Sequence, residues 1–201
     1  PTLARGDEDA WRRAWDPYGL AFEHKADGAD PDEPWTPVSF GTADPGLLAG
    51  SDVAAGDLGV SGRTAGTGAV PQEIDGTEAL RLSLAGLAVD RVELTLASLF
   101  AREAGTGVFE AGRVQAVAAD GTLVREATFR ATSIDGRATA TLADVLGADA
   151  IVITAGAYDA GGSWQPGGHV DSLGRFVARA AGTLGSDFLI DRIDLDLVLI
   201  G

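Results

Sequence analysis

The sequence has no cysteine and no methionine, and it has only two histidines. Without cysteine, disulfides, zinc–thiolate sites and thiol nucleophiles are all excluded. No apolar run approaches the roughly 20 residues of a membrane-spanning helix, so we expect no membrane insertion. Because the chain begins at Pro1 and contains no Met, we expect a domain taken from a longer protein.

Basic residues are scarce relative to acidic ones. Fifteen Lys and Arg face 30 Asp and Glu, which gives a formal charge of -15. A charge of this size repels nucleic acid and anionic lipid, so neither is an expected partner. It suits a medium in which Ca²⁺ or salt screens the self-repulsion, although an ordinary acidic surface is an equally plain interpretation.

Short stretches that alternate apolar and polar residues are abundant. The inward sets predicted for two of them are Leu80, Leu82 and Leu84, and Val92, Leu94 and Leu96. The Asp120-Gly121 pair predicts a hairpin between two further stretches. Nine or ten such strands with no helices between them predict one all-β domain over residues 1–201. We expect an antiparallel β-sandwich or jelly roll with long loops.

One short N-terminal helix is predicted from Gly6 to Asp16. Asp7 can cap it, and Trp11 and Trp15 lie four residues apart on one face. The simplest interpretation is that both indoles close one end of the core.

The closing stretch, Leu184 to Gly201, contains the sharpest conflict in the chain. From Leu189 onward, every second residue except Asp191 is large and apolar, so this face is predicted to point into the core. Asp187 and Asp191 share the parity of that face. A carboxylate there is costly unless it is paired, hydrogen-bonded or bound to a cation.

Acidic residues recur at the edges of predicted strands. The candidates are Asp57, Glu73, Asp75, Asp187 and Asp191. The first and last strands of a sandwich often end close together, so their carboxylates can share a Ca²⁺ ion with backbone carbonyls. We therefore expect Ca²⁺ as a cofactor. The alternative is that each acid caps a turn or pairs with an arginine.

The segment from Tyr158 to Ser186 is the longest without a clear period, and such a loop is usually functional or disordered. Its candidate ligand-binding residues are Tyr158, Trp164, His169 and Asp171. An exposed aromatic side chain beside a calcium ion can bind a sugar ring or a terminal carboxylate. For Trp164 the alternative is packing against the edge of the sandwich.

Catalysis is disfavoured, and we expect no enzyme. Only His24 and His169 could serve a Ser–His–Asp triad, and no Gly-x-Ser-x-Gly motif is present. Two carboxylates would be enough for a glycoside hydrolase. Here, however, the acids cluster at predicted turns, and aromatic residues to line a sugar cleft are few.

Four stretches carry a resemblance to a known family. They are AGDLGVSG (55–62), QEIDGTEALRLSL (72–84), VQAVAADGTLVREATF (114–129) and GSDFLIDRIDL (185–195). Together they resemble a domain that recurs in large bacterial repeats-in-toxin (RTX) adhesins exported by type I secretion. The tandem glycine-rich nonapeptide of RTX repeats is absent.

The resemblance implies a calcium-dependent β-sandwich that binds peptide C-termini or glycans on target surfaces. It implies calcium ligation by Glu73, Asp75, Asp187 and Asp191, and further by Asp57 and Asp159. We therefore expect an extracellular or cell-surface adhesin module for cell adhesion and biofilm formation, monomeric within a larger chain. A peptide terminus is the preferred ligand because exposed aromatics are scarce. A carbohydrate-binding jelly roll is the alternative, followed by a structural spacer.

Overall fold

The computed structural model describes residues 2–4, 15–25, 32–37, 47–50, 57–60, 73–101, 107–178 and 185–198. Every strand pairing among them is antiparallel, which confirms the predicted all-β class. The strands are, in chain order, β1 (Thr2–Ala4), β2 (Ala21–Lys25), β3 (Thr36–Pro37), β4 (Leu47–Gly50), β5 (Asp57–Val60), β6 (Ile74–Asp75), β7 (Ala79–Ser83), β8 (Val89–Ala97), β9 (Val108–Phe109), β10 (Ala111–Val117), β11 (Leu123–Arg130), β12 (Ala138–Ala143), β13 (Ala150–Tyr158), β14 (Trp164–Pro166), β15 (His169–Asp171), β16 (Phe176–Val177) and β17 (Asp187–Leu197).

The predicted N-terminal helix lies mostly outside the described residues. Within them, the longest helical element is a three-residue 3-10 turn, Asp16–Tyr18, and Trp15 immediately precedes it. Trp15 is buried, and its ring centroid lies 5.1 Å from that of Phe22. This indole therefore packs into the core, while Trp11 lies outside the described residues.

The strands form two seven-stranded sheets and one small sheet. The first sheet has the order β12-β8-β17-β5-β4, and β1 and β6 also pair with β17. The second has the order β11-β10-β13-β7-β2-β3, with β14 paired to β13. One hydrophobic core takes side chains from both sheets, among them Leu82, Leu94, Ile153 and Ile193. This arrangement is consistent with a β-sandwich.

Local alternation correctly predicts the strands that build this core. Leu80, Leu82 and Leu84 in and just after β7, and Val92, Leu94 and Leu96 in β8, are fully buried. The hairpin at Asp120-Gly121 is also confirmed, because β10 and β11 pair on either side of it. Gly121 adopts the positive φ (83°) that this turn requires.

The segment after Tyr158 is more regular than its sequence suggests. It contains β14, β15 and β16, and β15 forms a three-stranded sheet with β16 and β9. The strand β16 ends at Val177, and residues 179–184 lie outside the described part. The described part of this segment is therefore two short hairpin-like units.

The closing strand β17 is the centre of the first sheet. It pairs with β8 along one edge, and with β6, β5 and β1 in succession along the other. The strand nearest the start of the chain, β1, is one of these partners, since Leu3 pairs with Ile193.

A bulge in β17 corrects the predicted facing of its side chains. Ile190 pairs with Leu96 and Ile193 with Leu94, so Asp191 is an extra residue with no partner position in β8. The core face of the strand is therefore Ile190 and Ile193, and Leu189 lies on the opposite face. Strict alternation placed Leu189 and Asp191 on the core face, and this was wrong because the bulge changes the parity.

Candidate functional site

Two of the predicted calcium ligands face each other across one strand pair. Asp75 in β6 is directly opposite Asp187 in β17, and the neighbouring Ile74 is opposite Phe188. Ile74 and Phe188 belong to the main core. The two aspartates therefore lie on the other face, yet each is only 2% exposed. Side chains in this relation have Cβ atoms about 5 Å apart, and like charges there are destabilising.

The turn after β6 adds further acids. The Glu78 carboxylate accepts a hydrogen bond from the Asp75 amide at 3.1 Å, and the Glu78 amide donates to the Asp75 carbonyl at 2.9 Å. Glu73 precedes the strand, and both glutamates are buried. We call residues 73–78 the acidic turn. It is held closed by its own hydrogen bonds and lies against the start of β17.

Asp57, the first residue of β5, and Asp191, in β17, lie further along the closing strand than the facing pair. Leu58, which follows Asp57, pairs with Ile190. Asp191 lies in the bulge, and its carboxylate is 3.1 Å from the Arg137 guanidinium. Four residues of extended strand separate Asp187 from Asp191 by on the order of 13 Å, so one ion does not take both.

Within the described ranges, no group of three or more acidic or histidine side chains is positioned to hold a metal ion. The structure thus brings Asp75 and Asp187 together as a buried pair. Any cation there would draw its remaining oxygen ligands from backbone carbonyls, water or other segments, as Ca²⁺ commonly does.

Asp159 lies elsewhere, in the loop between β13 and β14. Its carboxylate accepts hydrogen bonds from the amides of Gly161 (2.8 Å) and Ser163 (2.9 Å) and from the Gln165 side chain (2.7 Å). The Ser163 amide, followed by the Gln165 amide group, holds the pKa of the Asp159 carboxyl below its usual value. Asp159 therefore closes a turn.

Asp171 closes a second turn of the same design. Its carboxylate accepts hydrogen bonds from the amides of Leu173 (2.8 Å) and Arg175 (2.9 Å), two and four residues on. The Arg175 amide and then its guanidinium lower the pKa of the Asp171 carboxyl. In both turns a glycine with positive φ, Gly162 or Gly174, follows the aspartate by three residues.

A cleft of about 400 Å³ opens between β11, the end of β13 and the Asp171 turn. It lies where β10 and β13 stop pairing: their last register pair is Gly112 with Ala155. The Ala111 amide instead donates to the Ser186 hydroxyl at 2.9 Å. The residues that line the cleft are Ala111, Gly112, Thr128, Phe129, Arg130, Gly156, Ala157, Tyr158, Val170, Leu173 and Gly174.

Two glycines keep the cleft open. A Cβ at Gly112 would lie 2.8 Å from the Thr154 carbonyl oxygen and would collide with the Phe129 ring. Gly156 has φ of 142°, and a Cβ there would collide with the Gln165 carbonyl oxygen. Neither position accepts a side chain without movement of the backbone.

Tyr158 forms one wall of the cleft, and a polar network fixes it. Its hydroxyl donates to the Glu126 carboxylate and accepts from the Arg113 guanidinium, both at 2.8 Å. Burial raises the pKa of the Tyr158 hydroxyl, and the bond to Glu126 raises it further, against the effect of Arg113. The Trp164 ring packs edge-to-face on Tyr158 with centroids 5.1 Å apart.

The aromatic surfaces predicted to meet a ligand are largely occupied. The Arg113 guanidinium lies 4.1 Å from the Trp164 ring centroid and 5.6 Å from that of Tyr158. His169 is buried in β15 and does not line the cleft, whereas Asp171 closes the turn at its rim. Of the predicted ligand-binding residues, only Tyr158 lines the cleft itself.

Sequence reasoning missed Arg130 and Leu173. Arg130 ends β11, and one of its terminal nitrogens donates to the carbonyl oxygens of Asp171 and Ser172, both at 2.9 Å. Its guanidinium carbon lies 5.7 Å from the Phe109 ring centroid. Leu173 is 73% exposed at the rim. A leucine at the tip of an aspartate turn is the signal that could have found this site.

No model of a known protein family matches the chain, and a search of curated proteins finds no significant match. Across the described ranges, none of the helices has the length and apolar character needed to cross a bilayer.

Proposed function

We propose that the chain is a calcium-stabilised β-sandwich that acts as a non-catalytic, ligand-binding module of a secreted or cell-surface adhesin. Its preferred ligand is a peptide terminus, and its role is cell adhesion and biofilm formation. The observation that carries the proposal is a preformed cleft whose strands are tied, through Ser186, to the buried acidic pair.

Calcium is the counter-charge that best suits the facing Asp75 and Asp187. Two carboxylates in a buried cross-strand pair repel each other, and a divalent cation with flexible oxygen coordination offsets that repulsion. Glu73 and Glu78 lie in the same acidic turn. Asp57 and Asp191 lie further along β17 and would serve only a separate ion. A shared proton or a basic side chain is the competing explanation.

Ser186 connects the proposed ion to the cleft. It immediately precedes Asp187. Its hydroxyl accepts a hydrogen bond from the Ala111 amide at 2.9 Å and donates one to the Gly168 carbonyl at 2.6 Å. An ion that holds Asp187 therefore also holds the residue that fixes the cleft floor to the β15 segment. On this basis, ligand binding depends on calcium even when the ion does not touch the ligand.

The cleft favours a peptide end over a sugar. A sugar ring would stack on an open aromatic face, but the Trp164 and Tyr158 rings already contact each other and Arg113. The floor is instead apolar, with Ala111, Ala157 and Val170. A short apolar side chain suits it better than a ring of hydroxyl groups.

A non-catalytic role fits the placement of the two histidines. His24 and His169 are both buried in strands, and neither lines the cleft. A general base must come within hydrogen-bond reach of its substrate. The carboxylates of Asp159 and Asp171 are engaged in closing turns, and that of Glu126 accepts a hydrogen bond from Tyr158.

An array tests the proposed function. It carries peptides with free carboxyl ends, the same peptides amidated, and a panel of glycans, and it is probed with the full chain in calcium and in EDTA. We expect binding to free-acid peptides that falls by at least tenfold in EDTA. Binding to glycans alone would establish the carbohydrate-binding alternative, and equal binding with and without calcium would refute the calcium dependence.

A further inference from the structure

We propose that Arg130 is the receptor for a ligand carboxylate, and that the cleft takes the carboxyl-terminal residue of a peptide with an apolar side chain. This inference rests on the proposed ligand-binding function and names its chemistry. It needs three properties of the cleft: an uncompensated positive charge, free donors beside that charge, and an apolar space next to it.

The charge of Arg130 is uncompensated. Every other arginine that the structure describes forms a salt bridge with a carboxylate: Arg81, Arg91, Arg113, Arg125, Arg137, Arg175 and Arg192. Arg130 forms none within the same ranges. In a chain with 30 acids and 15 basic residues, an arginine left without a carboxylate in a cleft is notable. An anionic group on a ligand would supply the counter-charge that Arg130 has none of among the described residues.

The Arg130 side chain is held in place with donors to spare. Only one terminal nitrogen is used, on the Asp171 and Ser172 carbonyls, and the guanidinium carbon lies 5.7 Å from the Phe109 ring centroid. A guanidinium has five N–H donors in a rigid fork that matches a carboxylate. The remaining donors have no hydrogen-bond acceptor among the described residues. Such a preorganised group loses little conformational entropy when an anion binds.

The space beside Arg130 is small, and part of its lining is apolar. Phe129, Ala157 and Val170 are buried and line it, and the exposed Leu173 side chain borders it. A volume of about 400 Å³ lies at the low end of ligand pockets, so it suits one or two residues rather than a long segment.

The carboxyl-terminal residue of a peptide matches both the positive charge of Arg130 and the apolar space beside it. It brings a carboxylate and an apolar side chain on the same residue, within reach of Arg130 and of the apolar floor. An internal peptide segment offers the side chain without the charge. An acidic side chain offers the charge without the apolar group.

The test uses the full chain in saturating calcium, titrated by calorimetry with N-acetyl-Ala-Ala-Leu as the free acid. The matched probes are the same peptide amidated and N-acetyl-Ala-Ala-Asp amide. We expect the free acid to bind at least tenfold more tightly than either probe. Its affinity should weaken as NaCl rises, because the contact to Arg130 is charged.

Variants assign the effect to the cleft. Arg130→Gln should reduce affinity for the free acid at least tenfold, and Arg130→Lys should keep part of it. Thr128→Trp places a large ring at an exposed lining position and should block the cleft. The control is Arg125→Gln in the same strand, since Arg125 pairs with Asp144 and lies outside the cleft. It should bind like the unaltered chain.

Three outcomes overturn the inference in distinguishable ways. If the unaltered chain binds glycans and neither peptide form, the peptide function fails together with it. If the free acid binds and Arg130→Gln and Thr128→Trp bind it equally well, the peptide function stands and the cleft is wrong. If acid and amide bind alike, the carboxylate is not the recognised group. Circular dichroism of each variant verifies that it is folded.

Discussion

The buried charge of Asp187 bears on both the stability of the fold and the shape of the cleft. It is buried directly opposite Asp75, and it follows Ser186, which ties the closing strand to the cleft. Under the proposed calcium binding, the ion would let the two carboxylates stabilise the fold, and without it their like charges would repel. The proposal therefore predicts that the sign of a charge-removing substitution depends on calcium.

Asp187→Asn should shift the melting temperature in opposite directions in the two conditions. In EDTA the variant should be more stable than the unaltered chain by about 1 kcal/mol, since a like-charge repulsion is removed. That corresponds to roughly 2–4 °C in a domain of this size. In saturating calcium it should be less stable, because an ion ligand is lost. Scanning calorimetry in both buffers measures the two melting-temperature shifts and shows whether their signs are opposite.

Asp196→Asn is the matched control, since Asp196 is exposed on the same strand and only pairs loosely with Arg91 at 3.6 Å. It should change stability little in either buffer. A uniform loss of stability in Asp187→Asn, equal with and without calcium, would mean that Asp187 serves the fold through hydrogen bonds rather than through an ion.

At the scale of elements, two aspartate turns follow β13 and β15, and the second of them borders the cleft. The Asp159 and Asp171 carboxylates each accept amides two and four residues on, so each turn depends on an ionised side chain. Both folded-state pKa values are lowered. Their contribution to stability is therefore present above the unfolded value near about 3.9 and is lost as pH falls through the folded value.

Asp159→Ala should lower the melting temperature at pH 7 and loosen the β13–β14 hairpin. The Gly161 and Ser163 amides lose their acceptor, so their hydrogen exchange should accelerate relative to amides in β10. Asp159→Asn should retain part of the protection, because its amide oxygen still accepts. The difference between Asp159→Ala and the unaltered chain should shrink below pH 3; a difference that stays constant there would contradict the ionised cap.

The alternation of β7 and β8 could be predicted from sequence because a strand's two-residue period is local. The bulge at Asp191 could not, since it is set by the register that β17 adopts against β8. The turns at Asp159 and Asp171 carry a readable Asp-x-x-Gly signal. Among the described residues Arg130 has no carboxylate partner; this depends on the folded arrangement, so no local sequence pattern predicts it.

At the scale of the whole molecule, the charge of -15 makes every cation stabilising to some extent. General screening and a specific ion must therefore be separated. The buried Asp75–Asp187 pair favours a specific ion. The central claim is that calcium fastens the closing strand to the acidic turn and so holds the cleft in its binding shape.

The most direct measurement is the melting temperature of the full chain in calcium and in EDTA at one ionic strength, with NaCl making up the difference. We expect a melting temperature that is many degrees higher in calcium, that reaches a plateau as calcium concentration rises, and that NaCl does not reproduce. An unchanged melt in EDTA, or one that NaCl restores in full, would contradict the claim.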